Sequence, residues 1–89
     1  MTRLFSIAFD FEGGTYTVMV NMWQQAYDLH CRVNYTDKTL RSILPTSGFE
    51  FSLAEGLKQP KELPNELAKS LVASTTDAIT NYLQKEQNY

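Results

Sequence analysis

The sequence predicts an α+β fold: a four-stranded antiparallel sheet, a meander of three strands plus a short fourth, with one C-terminal helix packed on one face. Three observations predict it. Apolar residues alternate with period two through three successive runs in the first half of the chain. Short glycine-containing or polar stretches separate those runs. The last quarter then switches to helical spacing; strand side chains alternate between faces, whereas helical ones recur every three or four positions.

The first run, residues 4–11, places Phe5, Ile7, Phe9 and Phe11 on one face and Ser6, Ala8 and Asp10 on the other. Glu12-Gly13-Gly14 then suits a hairpin turn, because glycine tolerates positive φ. The second run, 15–23, directs Tyr16, Val18, Val20 and Met22 inward and Thr15, Thr17, Met19, Asn21 and Trp23 outward. Gln24-Gln25 serves as a short connection to the third run, 27–35. There Tyr27, Leu29, Cys31, Val33 and Tyr35 share the inner face, and Asp28, His30, Arg32 and Asn34 the outer one.

Residues 36–48 break the alternation. Asp37 suits a helix N-cap, with Leu40, Ile43 and Leu44 at helical spacing, and the pattern allows either a short helix or a loop over 37–44. Phe49, Phe51 and Leu53 then alternate with Glu50 and Ser52 as a fourth strand on a sheet edge. Residues 54–63, with Gly56 and Pro60, read as a connecting loop. Pro64 suits the first turn of the final helix and Glu66 its dipole. Leu67, Leu71, Val72, Thr75, Ala78, Ile79, Tyr82 and Leu83 form its apolar stripe, and residues 86–89 are expected to fray.

An 89-residue chain has room for one domain, residues 1–89. Its net charge of −2 supplies no excess of cations for a phosphate backbone, so nucleic acid is not an expected partner. No apolar run approaches the ~20 residues of a membrane-spanning helix, so no membrane partner is expected. The apolar start is broken by Ser6 and ended by Asp10, unlike a secretory leader. A lone cysteine, Cys31, cannot form an intramolecular disulfide, and a cytoplasmic location is the natural expectation.

Catalytic signatures are absent from the pattern. The chain has one histidine, His30, too few for a multi-histidine metal site, and no glycine-rich phosphate loop preceding a helix. No cofactor is expected. Asp28, His30 and Arg32 line one strand face about 7 Å apart, an arrangement that could orient an imidazole but that equally describes a solvated strand. Cys31 faces inward, opposite in direction to His30, so the two cannot form a nucleophilic pair within the strand.

One feature departs from a purely solvated outer face. Met19 and Trp23 lie there, with Ala8 opposite on the first strand and His30 and Arg32 on the third; tryptophan, methionine and arginine are enriched at interface cores. The first strand is also an expected sheet edge with few charges. The expected function is therefore a non-catalytic protein-interaction domain that self-associates, or binds another protein, through the open face (Ala8, Met19, Trp23, His30, Arg32) or the first-strand edge. The alternative is a small-molecule-binding domain or enzyme that uses His30 and Arg32.

Overall fold

The computed structural model, which describes residues 2–44, 46–60 and 62–87, contains one antiparallel sheet and two helices. Elements follow in the order β1 (Thr2–Phe11), β2 (Gly14–Gln25), β3 (Asp28–Tyr35), α1 (Lys38–Ile43), β4 (Gly48–Ser52), β5 (Gly56–Gln59) and α2 (Glu66–Gln87). Sheet order equals chain order, β1-β2-β3-β4-β5, so the whole sheet is a meander. The expected α+β class with an antiparallel sheet and a C-terminal helix is observed, but with five strands rather than four.

The first hairpin sets the register. Glu12 and Gly13 have φ of 49° and 77°, the positive values of a two-residue type I′ turn, so Phe11 pairs with Gly14. From there Phe9 meets Tyr16, Ile7 meets Val18 and Phe5 meets Val20, all facing the core as the alternation predicts. The second turn lies two residues later than expected. Gln24 and Gln25 continue β2, and Ala26 (φ 56°) and Tyr27 make the bend. Tyr27 is consequently fully exposed, not an inward residue of the third strand.

Asp37 caps α1: its carboxylate accepts hydrogen bonds from the backbone N–H of Thr39 (2.8 Å) and Leu40 (3.4 Å). Residues 37–44 are thus a capped helical turn, which delivers Leu40 and Leu44 into the core with no exposed surface. β4 is an internal strand and not an edge, because β5 pairs with it. β5 was invisible to alternation: it has four residues, begins at Gly56 and carries one large apolar side chain, Leu57. The β4–β5 register shifts between Glu50 and Phe51, with Lys58 the extra residue on β5; Phe51 and Ser52 are both buried, while Leu53, expected inside, is 45% exposed in the turn that follows.

The cap of α2 is Asn65, whose side chain accepts from the Ala68 N–H at 2.9 Å, so Pro64 precedes the helix and is not in its first turn. The buried stripe is Ala68, Leu71, Val72, Thr75, Ile79 and Leu83; Leu67, assigned to it from spacing, is 43% exposed. α2 continues through Gln87, and the expected fraying at Asn88 and Tyr89 falls outside the described residues. The helix lies along β1. Phe5 stacks on Tyr82 with ring centroids 4.9 Å apart, and Arg3 hydrogen-bonds the Tyr82 hydroxyl at 3.3 Å. Deeper in the core the Tyr35 and Thr75 hydroxyls share a bond of 2.9 Å, and Thr75 donates to the Leu71 carbonyl at 2.8 Å.

The two edges of the sheet differ. β5 is four residues long, holds the bulged Lys58, which is paired with Glu55, and is succeeded by Pro60. Short length, charge, proline and bulges are the usual means of blocking further strand addition. β1 has ten residues in unbroken register with β2 and no charge between Arg3 and Asp10.

Two consequences for stability follow. A Cβ on Gly48 would lie 2.1 Å from the Val33 carbonyl oxygen, a backbone atom that cannot move aside. Gly48→Ala is expected to cost about 2 kcal/mol or more, read as a lower urea midpoint at unchanged slope. Burial pushes the Cys31 thiol up from 9.0 to about 11, and burial also raises Tyr35, opposed by its bond to Thr75. Both groups stay protonated in the folded chain after they have begun to ionise in the unfolded one. Stability should therefore hold below pH 9 and fall as pH rises toward about 11, and Cys31→Val should flatten the first part of that fall in urea titrations.

Candidate functional site

With α2 on one side, the opposite face of the sheet is formed by alternate residues of β1 to β4, arranged in rows by the strand register. One row runs Thr2, Trp23, His30, Ser52; the next Leu4, Asn21, Arg32, Glu50; a third Ser6, Met19, Asn34. Ala8 pairs with Thr17 beyond them. All five sequence-predicted residues thus lie on this face. They do not form one patch. Trp23 and His30 are direct cross-strand neighbours, Arg32 and Met19 occupy successive rows, and Ala8 lies six residues along β1 from the Trp23 row, about 20 Å away. The expectation that Ala8 sits opposite Met19 and Trp23 is corrected: Met19 faces Ser6, and Trp23 faces Thr2.

The first row is internally engaged. The Trp23 and His30 rings stack with centroids 5.6 Å apart and planes 15° apart, which leaves each half-buried. His30 Nε2 lies 3.9 Å from Asp28 Oδ2. Asp28 in turn accepts the backbone N–H of Ala54 at 3.1 Å and the hydroxyl of Ser52, whose oxygen also accepts the Glu55 N–H at 2.9 Å. These bonds tie the β4–β5 turn to the start of β3. The Ser52 hydrogen bond, with further help from the Ala54 N–H and nearby His30, outweighs partial desolvation and holds the Asp28 carboxyl below its ordinary range.

Within the Asp28-His30-Arg32 row Asp28 and His30 remain neighbours, while Arg32 pairs with Glu50 of the next strand. Asp28 anchors a turn, His30 stacks on Trp23, and Arg32 lies 3.8 Å from Glu50. Next to Arg32 the buried Asn21 Oδ1 has no hydrogen-bond partner among the described residues. Ser52 was missed because period two assigns it to solvent. The signal that could have found it is a serine three residues ahead of a turn N–H in Ser52-Leu53-Ala54-Glu55-Gly56, the arrangement by which a hydroxyl closes a turn.

Arg32 borders a recess of about 80 Å³ with Thr46, Gln59 and Pro60, smaller than the ~300 Å³ at which ligand pockets begin. Ala8 borders something larger. Between the free edge of β1 and α2 runs an open groove of about 480 Å³, with Ser6 and Ala8 on the strand side and Ala78, Asn81 and Lys85 on the helix side. Among the described residues no three His, Cys, Asp or Glu side chains come together as a metal site, and no helix is long and apolar enough to cross a membrane. Comparison of the chain with protein-family models, curated proteins and solved structures finds no match.

Ser52→Ala should release the Asp28 carboxyl upward toward its ordinary value, visible in a carboxyl NMR titration. It should also leave the Glu55 N–H without its acceptor, a loss of about 1 kcal/mol in stability by urea denaturation.

Proposed function

We propose that this protein is a protein-interaction domain that associates with itself and carries out no chemistry of its own. The observation that carries this reading is the one-sided cover of the sheet. α2 shields one face only, and the other exposes Leu4 (66%) and half-buried Met19 and Trp23 in an area that extends without a charged barrier to the β1 edge. A sheet that leaves such a surface and such an edge uncovered has a place for a protein partner, and a second copy of the chain is always available at matching concentration.

The small-molecule or enzymatic reading built on His30 and Arg32 has weaker support. The groups it requires already have partners: Asp28 with Ser52 and Ala54, His30 with Trp23, and Arg32 with Glu50. The recess beside Arg32 is also too small to surround a substrate.

Light scattering behind gel filtration, over micromolar to millimolar concentrations, tests the proposal. The expected result is a molar mass that rises from one chain toward two. A constant single-chain mass across the range overturns self-association.

A further inference from the structure

We infer that two copies of the chain join edge to edge through β1, antiparallel and centred on Ser6, to make one continuous ten-stranded sheet with both α2 helices on the same side. The inference rests on the self-association proposed above and specifies its surface.

Backbone parity comes first. The two-residue turn at Glu12-Gly13 makes Phe11 and Gly14 a hydrogen-bonded pair, and hydrogen-bonded and non-bonded pairs then alternate up the ladder. Odd-numbered residues of β1 therefore direct N–H and C=O toward β2. Thr2, Leu4, Ser6, Ala8 and Asp10 direct theirs outward, where among the described strands no partner is present. The ten-residue length, the straight register and the absence of charge between Arg3 and Asp10 leave this edge without the devices that block β5.

Parity also limits which residues can face one another. An outward-directed residue must oppose another outward-directed residue, so the sum of the two numbers is even. Centring on Ser6 uses the whole strand: Ser6 meets Ser6, Leu4 meets Ala8, and Thr2 meets Asp10 of the second copy. Apolar then opposes apolar and polar opposes polar, and exposed Leu4 gains a partner. A shift of two residues in one direction sets Leu4 against Asp10; in the other it shortens the ladder. In-register parallel pairing would set Arg3 beside Arg3 and Asp10 beside Asp10 on the same face, like-charge neighbours that antiparallel pairing avoids.

Occupancy of the groove follows from the same arrangement. The second copy's β1 runs along the strand side of the groove, where Ser6 and Ala8 lie. The helix side presents Ala78, Asn81, Tyr82 and Lys85, with the Tyr82 ring already stacked on Phe5 of the same chain. The three bonded pairs Leu4–Ala8, Ser6–Ser6 and Ala8–Leu4 supply about six backbone hydrogen bonds between the copies, two for each pair.

Amide hydrogen exchange by NMR, together with light scattering, tests this. In a β1-paired dimer the Leu4, Ser6 and Ala8 amides become protected as concentration rises, while Phe5, Ile7 and Phe9 are protected at every concentration. Ser6→Lys places two like charges directly opposite at the symmetry axis and should weaken dimerisation by about tenfold or more. Trp23→Ser, on β2 one strand in from the edge and contributing no backbone group to the β1–β1 ladder, should leave dimerisation within about twofold. A dimer whose Leu4, Ser6 and Ala8 amides exchange freely overturns the edge pairing while self-association stands, with the open face as its surface. A monomer at every concentration overturns both and leaves the edge open to an extended segment of another protein.

Discussion

Glu12 and Gly13 sit at positive φ, and a turn of exactly two residues allows no slack in how β1 and β2 meet. Because side chains alternate with period two, that single register decides that Phe5, Ile7, Phe9 and Phe11 all face α2. One residue of slip would send four aromatic and aliphatic side chains to the opposite face and remove the surface on which Leu71, Ile79 and Tyr82 rest. The same turn decides which backbone groups of β1 bond to β2 and which are left pointing outward. Core, helix position and free edge are thus consequences of one local geometry.

The rest of the molecule is arranged around the sheet so defined. α1, capped by Asp37, inserts Leu40 and Leu44 into the core, and the Tyr35–Thr75 bond satisfies two polar groups buried there. On the open face, polar residues are paired across strands so that the network serves the fold: Asp28 and Ser52 hold the β4–β5 turn, which in turn positions β5 as a short, blocked edge. The asymmetry between that edge and β1 is the most distinctive property of the surface.

Much of this was legible from residue order. The inward faces of β1 and β2, the Asp37 cap, the edge position of β1 and the helical segment near the C-terminus all follow from local patterns, and these are the patterns that local physics enforces. Leu67 and Leu53 were misplaced because both lie at the margin of an element, where the stripe or the alternation ends and no neighbour covers them. β5 was missed because four residues around a glycine bury too little to leave a periodic trace; it forms because β4 offers it a hydrogen-bonding partner. Among the candidate site residues the face was legible and the neighbourhood was not: Trp23 beside His30, and Ala8 remote from both, depend on which residues oppose across strands.

By itself, then, the sequence determined the class of fold, the two faces of the first three strands and the set of residues on the open side. These depend on periodicity within a segment, which the chain carries in its own order. Tertiary structure alone decided the fifth strand, the burial of Ser52, the hydrogen bond of Asp28 to Ser52 and the contrast between the two edges. Those depend on distances between segments far apart in the chain, set by cross-strand register and by a bulge whose single extra residue no periodicity records.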